Sequence, residues 1–227
     1  MNNTLIDNSI EALSMTATLR KCLDIDGIQT VSIATGYWDI PGLAILQKSL
    51  RSFIEKDGTT LRLLIGKDPY IYANQLKSPK YKDSNYPLDF IKTDIHELNV
   101  TEEYKDAIRL LLDYCSKSND SKIQIRVFRK NANDETQFLH SKCYIFDGKQ
   151  NGIGIGIVVS TNFTQKGLQG NAELNYIETA PNQVLSLDAI PGNKSHLLWF
   201  NEKWEISEPW NEQFLEQVLK SAPITDE

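Results

Sequence analysis

The chain has 227 residues, of which 41% are hydrophobic and 24% charged; this excludes a disordered, collagen-like or low-complexity polymer and is enough to bury one sizeable core. The formal charge of −6 argues against a uniformly basic nucleic-acid coat, yet seven acids against two lysines fall in residues 196–227, so the preceding 195 residues, with 22 basic and 23 acidic side chains, are near neutral. No apolar run reaches the ~18 to 20 residues of a membrane helix, no secretory leader is evident, and three scattered cysteines (Cys22, Cys115, Cys143) without metal-ligand spacing fit a reduced, cytoplasmic protein.

Residues 7–22 carry apolar positions at helical spacing and predict a helix. The β-branched run Thr30 to Ala34 predicts a buried strand, Pro41 to Ile54 an amphipathic helix with proline at its first turn, and Leu61 to Ile65 a second strand. Strand, helix, strand at this spacing is a βαβ unit and implies parallel pairing. Residues 67–92, with five lysines and five aromatics, predict a long loop, and Thr101 to Lys117 a helix opened by Thr-Glu-Glu. Four strands follow, over residues 122–128, 138–146, 153–161 and 172–178, with a short helix or turn over 163–168. The reading is an α/β fold in which a mixed central β-sheet is flanked by helices on both faces. Residues 1–195 form the main domain. Residues 196–227 form an acidic tail with three tryptophans, helical, packed on that domain or leading to a further one.

Several apparent motifs carry no chemistry. Gly152, Gly154 and Gly156 are spaced GxGxG inside an apolar alternation, which predicts close packing rather than a dinucleotide loop. His196, among Leu197, Leu198 and Trp199, predicts a packing or surface histidine.

The stretch from Phe138 to Asp147 stands apart. Alternation places His140, Lys142 and Tyr144 on one side of a strand and Leu139, Cys143 and Ile145 on the other. An imidazole and an ammonium two residues apart on an apolar strand are costly to bury unless an anion meets them. Ser160 and Asn162 close a second strand on one parity, and Glu173 and Asn175 open a third. Together these residues supply groups suited to a phosphodiester. Lysine and asparagine hold non-bridging oxygens, histidine attacks phosphorus or protonates a leaving oxygen, and a carboxylate orients the ring. No acidic cluster suggests a metal site, and no cofactor motif is present.

His140-x-Lys142 followed by four residues and Asp147 resembles the HxKxxxxD signature of the phospholipase D superfamily. Ser160-Thr-Asn162 resembles its GSxN element, with Val159 where glycine is usual, and residues 160–175 are similar to its nuclease branch. The upstream string from Ala34 to Leu43, with Leu63 to Pro69, resembles the phospholipase D-like domain placed before some SNF2-type helicases. This resemblance implies a metal-independent nuclease, as in some restriction endonucleases, with His140, Lys142, Asn162 and Glu173 catalytic. Ser160, Asp147 and Asn175 are implied to support the phosphate, Asp147 mainly as a structural turn residue.

The superfamily's chemistry uses two histidines, and only one HxK occurs here. A homodimer sharing one cleft is the simplest solution, with His140 of one protomer as nucleophile through a phosphohistidine and the partner's His140 as acid. Phospholipid synthases of the superfamily usually carry membrane helices, so DNA or another nucleic acid is favoured over lipid, with no membrane partner. Lys122, Arg126, Arg129 and Lys130 are candidate nucleic-acid contacts. The competing readings are a non-catalytic module that dimerises and docks DNA for a helicase, and a phospholipase-type phosphodiesterase.

Overall fold

The structure, a computed structural model, describes residues 4–66, 101–116, 121–128, 139–188 and 193–218. The lysine- and tyrosine-rich segment 67–92, and with it Lys117, Arg129 and Lys130, lies outside the described residues. The elements in chain order are β1 (Thr4–Ile6), α1 (Met15–Leu23), β2 (Thr30–Thr35), α2 (Ile40–Ile54), β3 (Thr60–Ile65), α3 (Glu102–Tyr114), β4 (Ile123–Val127), β5 (Cys143–Gly148), β6 (Ile153–Val159), β7 (Asn175–Glu178), α4 (Pro181–Leu185), α5 (His196–Glu205), β8 (Glu208–Pro209) and α6 (Asn211–Gln213), which continues into a wider turn over Phe214–Val218.

All eight strands form one sheet in the order β1-β7-β6-β5-β2-β3-β4-β8. The predicted βαβ unit is present: β2 and β3 pair in parallel, Thr30 opposite Thr60, and β4 extends them in parallel. The other half is an antiparallel meander in which β5 pairs with β2, β6 with β5, β7 with β6 and β1 with β7. β2 is central and buried on both sides, which explains its unbroken β-branched and small residues.

One face of the sheet (Val31, Ile33, Leu63, Ile65, Ile125, Tyr144, Phe146, Ile157) packs against the apolar sides of α1, α2 and α3, with Trp210 and Phe214 joining this core. The other face (Ala34, Leu64, Cys143, Ile145) meets Val184 and Leu185 of α4 and Leu197, Phe200 and Trp204 of α5. Residues 197–215 therefore contact both faces, and β8 adds to the sheet beside β4. Arg62 rises from this second face. It donates to Ser32 Oγ and Asn201 Oδ1, both at 3.0 Å, and its guanidinium lies 4.8 Å from the Phe200 ring centre. Burial pushes its pKa down to about 10, against the pull of Asp147 and Glu205, so it stays charged at neutral pH.

Two glycines of the GxGxG string make this contact possible. A Cβ on Gly154 would lie 2.7 Å from the Leu185 side chain, and one on Gly156 would overlap the His196 ring. His196 is thus a packing histidine, and burial lowers its pKa.

Two sequence expectations need correction. Helix 7–22 starts later, at Met15, because Asn8 takes a left-handed φ of 63° and its side chain accepts from Met15 N at 2.8 Å and donates to Gly167 O and Asn171 O. The strand expected over 138–146 is ordered as β5 only from Cys143. Ala34 of β2 is the last residue to pair with it, and Leu139 to Lys142 instead cross the ends of the neighbouring strands.

Candidate active site

Topology brings the candidate residues to one edge. β2 and β3 run toward it and end at Thr35 and Ile65; β5 begins there at Cys143, antiparallel β6 ends there at Val159, and β7 begins there at Asn175. Carboxyl ends of parallel strands are where open α/β sheets place ligands. Two glycines let the chain pass over them. A Cβ on Gly66 would overlap the carbonyl of Leu139, so only glycine lets the segment leading to His140 cross the end of β3. A Cβ on Gly36, just past β2, would lie 3.4 Å from Asn162 Oδ1 and 3.9 Å from Lys142 Cε. Lys142 and Asn162, 20 positions apart in sequence, thus flank one point.

Lys142 is 7% exposed, and its carbonyl accepts from Val159 N at 3.2 Å, which anchors its backbone to β6. The segment 160–163 is held from several sides. Asn162 Oδ1 accepts from Tyr37 N at 3.2 Å, which turns the Nδ2 donor the other way. Phe163 N donates to Thr35 Oγ1 at 3.0 Å, Thr161 Oγ1 donates to Asn175 Oδ1 at 2.8 Å, and the buried Tyr144 hydroxyl donates to Thr161 O at 3.4 Å. Burial first, and the nearby Glu173 carboxylate second, hold the Tyr144 phenol well above its ordinary pKa.

Glu173 is fixed by two donors, Ser160 Oγ to one carboxylate oxygen and Asn171 Nδ2 to the other at 3.2 Å. Ser160 Oγ also accepts from Leu174 N at 3.1 Å, so the hydroxyl locks the end of β6 to the start of β7. His140 is exposed at the crest of this edge, three residues before β5. Imidazole, ammonium, amide and carboxylate therefore share one rim, a donor set suited to an anionic, tetrahedral phosphorus centre. Among the described residues no His, Cys, Asp and Glu side chains group as a metal site.

The profile of a family described as "Cardiolipin synthase, PLD-like domain" matches residues 27–190, which include every residue of this rim. The chain belongs to this phospholipase D-like family. Among solved structures, NucT from Helicobacter pylori shares the fold with a TM-score of 0.50 and 14% identity, over 92% of this chain and 98% of that one. Nuc from Salmonella typhimurium, a phospholipase D family member, is similar at a TM-score of 0.49 and 14% identity, over 92% and 97% of the two chains. No curated protein matches.

Other residues sit away from the phospholipase D-like rim. Asp147 lies at the opposite end of β5, paired with Thr30, and its carboxylate accepts from Lys149 N at 2.8 Å to shape the hairpin. Lys122 precedes β4, also at that far end, where its ammonium donates to the carbonyls of Ile54 and Lys56 at 2.8 and 3.0 Å and caps α2. Arg126 donates to Trp204 O at 2.7 Å and lies against that ring. His196 opens α5 on the second face, where its ring lies over Gly156. Sequence reasoning missed Gly36, Tyr37 and Asn171 as parts of the site. The first two fall in the string that supported the resemblance, but only the fold shows that they seat Asn162.

Proposed function

We propose that this phospholipase D-like chain is a metal-independent nuclease that cleaves nucleic-acid phosphodiesters, DNA foremost, in a site completed by a second copy of the chain. The observation that carries the reading is the seating of Lys142 and Asn162 on either side of Gly36, beside a Glu173 held by Ser160. Lys142 and Asn162 Nδ2 receive the non-bridging oxygens, where charge grows in the transition state. A ring nitrogen of His140 attacks phosphorus. The bond to the leaving oxygen breaks, and that oxygen takes a proton from the partner's His140, giving a phosphohistidine and a free hydroxyl end. Water then attacks phosphorus, loses its proton to the partner's now neutral ring, and releases the phosphate monoester as the phosphorus–nitrogen bond breaks. Glu173 and its Ser160 donor orient the adjacent ring, and Asn175 and Thr161 support the strand ends beneath.

The chain carries three histidines, of which His196 opens α5 and packs over Gly156 away from the rim and His96 lies outside the described residues, and neither has a lysine two residues on. This supports a second His140 from another copy. Nucleic acid rather than lipid is supported by the likeness of residues 160–175 to the nuclease branch; no helix among the described residues is long and apolar enough to cross a membrane.

The test is a nuclease assay in excess chelator. Wild type is expected to cleave with undiminished rate, and His140→Ala to lose at least about 10³-fold while still binding the substrate. Activity that vanishes with chelator and returns only with magnesium refutes the mechanism. DNA binding without cleavage by the wild type would favour a docking module.

A further inference from the structure

A cavity of about 500 Å³ opens between α1, α2, α3 and the turn that follows Asn162, and none of the rim residues lines it. Its size falls within the ~300 to 1,000 Å³ of small-ligand sites. Gln47 of α2 is the residue that calls for an occupant. It lines the cavity yet is only 5% exposed, and no described group hydrogen-bonds its side-chain amide. Leu43 and Leu50, one helical turn before and after it, are buried apolar side chains, so packing alone asks for a hydrocarbon at position 47. A buried amide without a partner costs stability. The cavity is where its two donors and its acceptor are met.

The rest of the wall has a matching chemistry. Gln165 and Gln169 bring two more amides from the turn. Tyr104, half-buried in the first turn of α3, brings an aromatic ring. Arg20 donates to Ile45 O at 2.8 Å, which holds its guanidinium against α2 and leaves the other donors of the fork for the cavity. Lys48 is a second cation, and Glu103 is the one acid among the described residues of the wall. The wall thus carries an excess of positive charge on a chain whose formal charge is −6.

We propose that this cavity binds a nucleotide, its base stacked on Tyr104 and read by Gln47 and a turn glutamine, its phosphate held by Arg20 and Lys48. A glutamine amide sets a donor beside an acceptor, the pattern that pairs bidentately with adenine. An aromatic ring takes the face of any base, and cations take the phosphate. Two sources carry this chemistry: a free nucleotide, and a nucleotide flanking the bond to be cut. The second rests on the nuclease reading. It is favoured by Gln165, which stands three positions after Asn162, at most about 11 Å of chain. Gln165 N is also tied to Asp39 at the start of α2, so the cavity wall and the Asn162 segment move as one piece.

The test is calorimetric titration of the whole chain with deoxyadenosine monophosphate. Wild type is expected to bind it saturably. Gln47→Leu is expected to weaken binding at least about 5-fold with its melting temperature held or raised, which a merely structural glutamine would not allow. Gln47→Met serves where leucine packs badly, and Tyr104→Ala is expected to weaken binding by a similar factor. Absence of binding, full displacement by an equal concentration of inorganic phosphate, or binding unchanged in the Gln47 and Tyr104 variants overturns the site. Anisotropy of a labelled single-stranded oligonucleotide in the His140→Ala background separates the sources. A loss on adding Gln47→Leu assigns the cavity to the strand, and an unchanged affinity assigns it to a free nucleotide. A wild type that binds the mononucleotide in this way yet cleaves no nucleic acid keeps the cavity and refutes the nuclease reading.

Discussion

At the scale of single residues, the rim depends as much on what is missing as on what is present. Gly36 leaves room for Asn162 Oδ1 and the Lys142 stem to approach one point, at 3.4 and 3.9 Å from where a Cβ would stand. Gly36→Ala is expected to remain within a few-fold of wild-type kcat, because those spacings are ordinary contacts. Gly36→Val adds methyl groups that wedge the two side chains apart, and a displacement of about 1 Å at a reacting centre costs on the order of 10²-fold. Steady-state kinetics of the two variants, with melting curves to show that both are folded, check this; equal activity in Gly36→Val would mean that the two groups do not act together. The sequence offered His140, Lys142, Asn162 and Glu173 as candidates, since each is a polar residue next to an apolar run. It did not display Gly36 or Asn171, because a glycine's role lies in the neighbour that fills its space and Asn171 acts through a carboxylate two residues away.

Among the elements, legibility followed length. β2, α2 and β3 were readable because each keeps a β-branched or apolar pattern over at least six residues, and α2 also has a capping residue. Asp39 accepts from Gly42 N at 2.6 Å and from Gln165 N at 3.0 Å, so one carboxylate starts the helix and ties it to the turn after Asn162. Burial raises its pKa, so the charged form is disfavoured where it sits while the acceptor is useful. Asp39→Asn is therefore expected to hold or raise stability at pH 7, and Asp39→Ala to lower it by about 1 to 2 kcal/mol; urea unfolding at fixed pH compares the two. β1 and β8, of three and two residues, were missed because so short a segment carries no periodicity and its pairing is decided by the strand beside it. The late start of β5 has a similar origin. Nothing local distinguishes residues 138–142 from a strand, and the end of β2 at Thr35 removes the partner that would make them one.

For the molecule as a whole, the packing of α5 on the second face of the sheet half-buries an imidazole, that of His196. His196 has its pKa lowered by burial, against a smaller opposing pull from Glu178, and its Nδ1 has no hydrogen-bond partner. The folded chain therefore protonates the ring less readily than the unfolded chain does. Above the ordinary histidine pKa of ~6.5 the ring costs nothing, and below it the unfolded state gains protons that the folded state does not, so stability falls. Urea midpoints are expected to drop between pH 7.5 and pH 5.5, and His196→Gln to lose part of that slope. An unchanged slope in the variant would assign the acid sensitivity to other groups.

The hairpin joining β5 to β6 turns at Lys149 to Gly152, at the end of the sheet away from His140, and its tip residues are exposed. A six-residue strand separates the two ends by about 20 Å. Every candidate catalytic group from His140 to Glu173 is thus carried by a meander whose remote bend faces water. A dye, an affinity tag or an entire foreign polypeptide grafted at that bend would ride on the molecule without entering its chemistry, which makes it the natural handle for immobilising the protein or following its turnover in single particles.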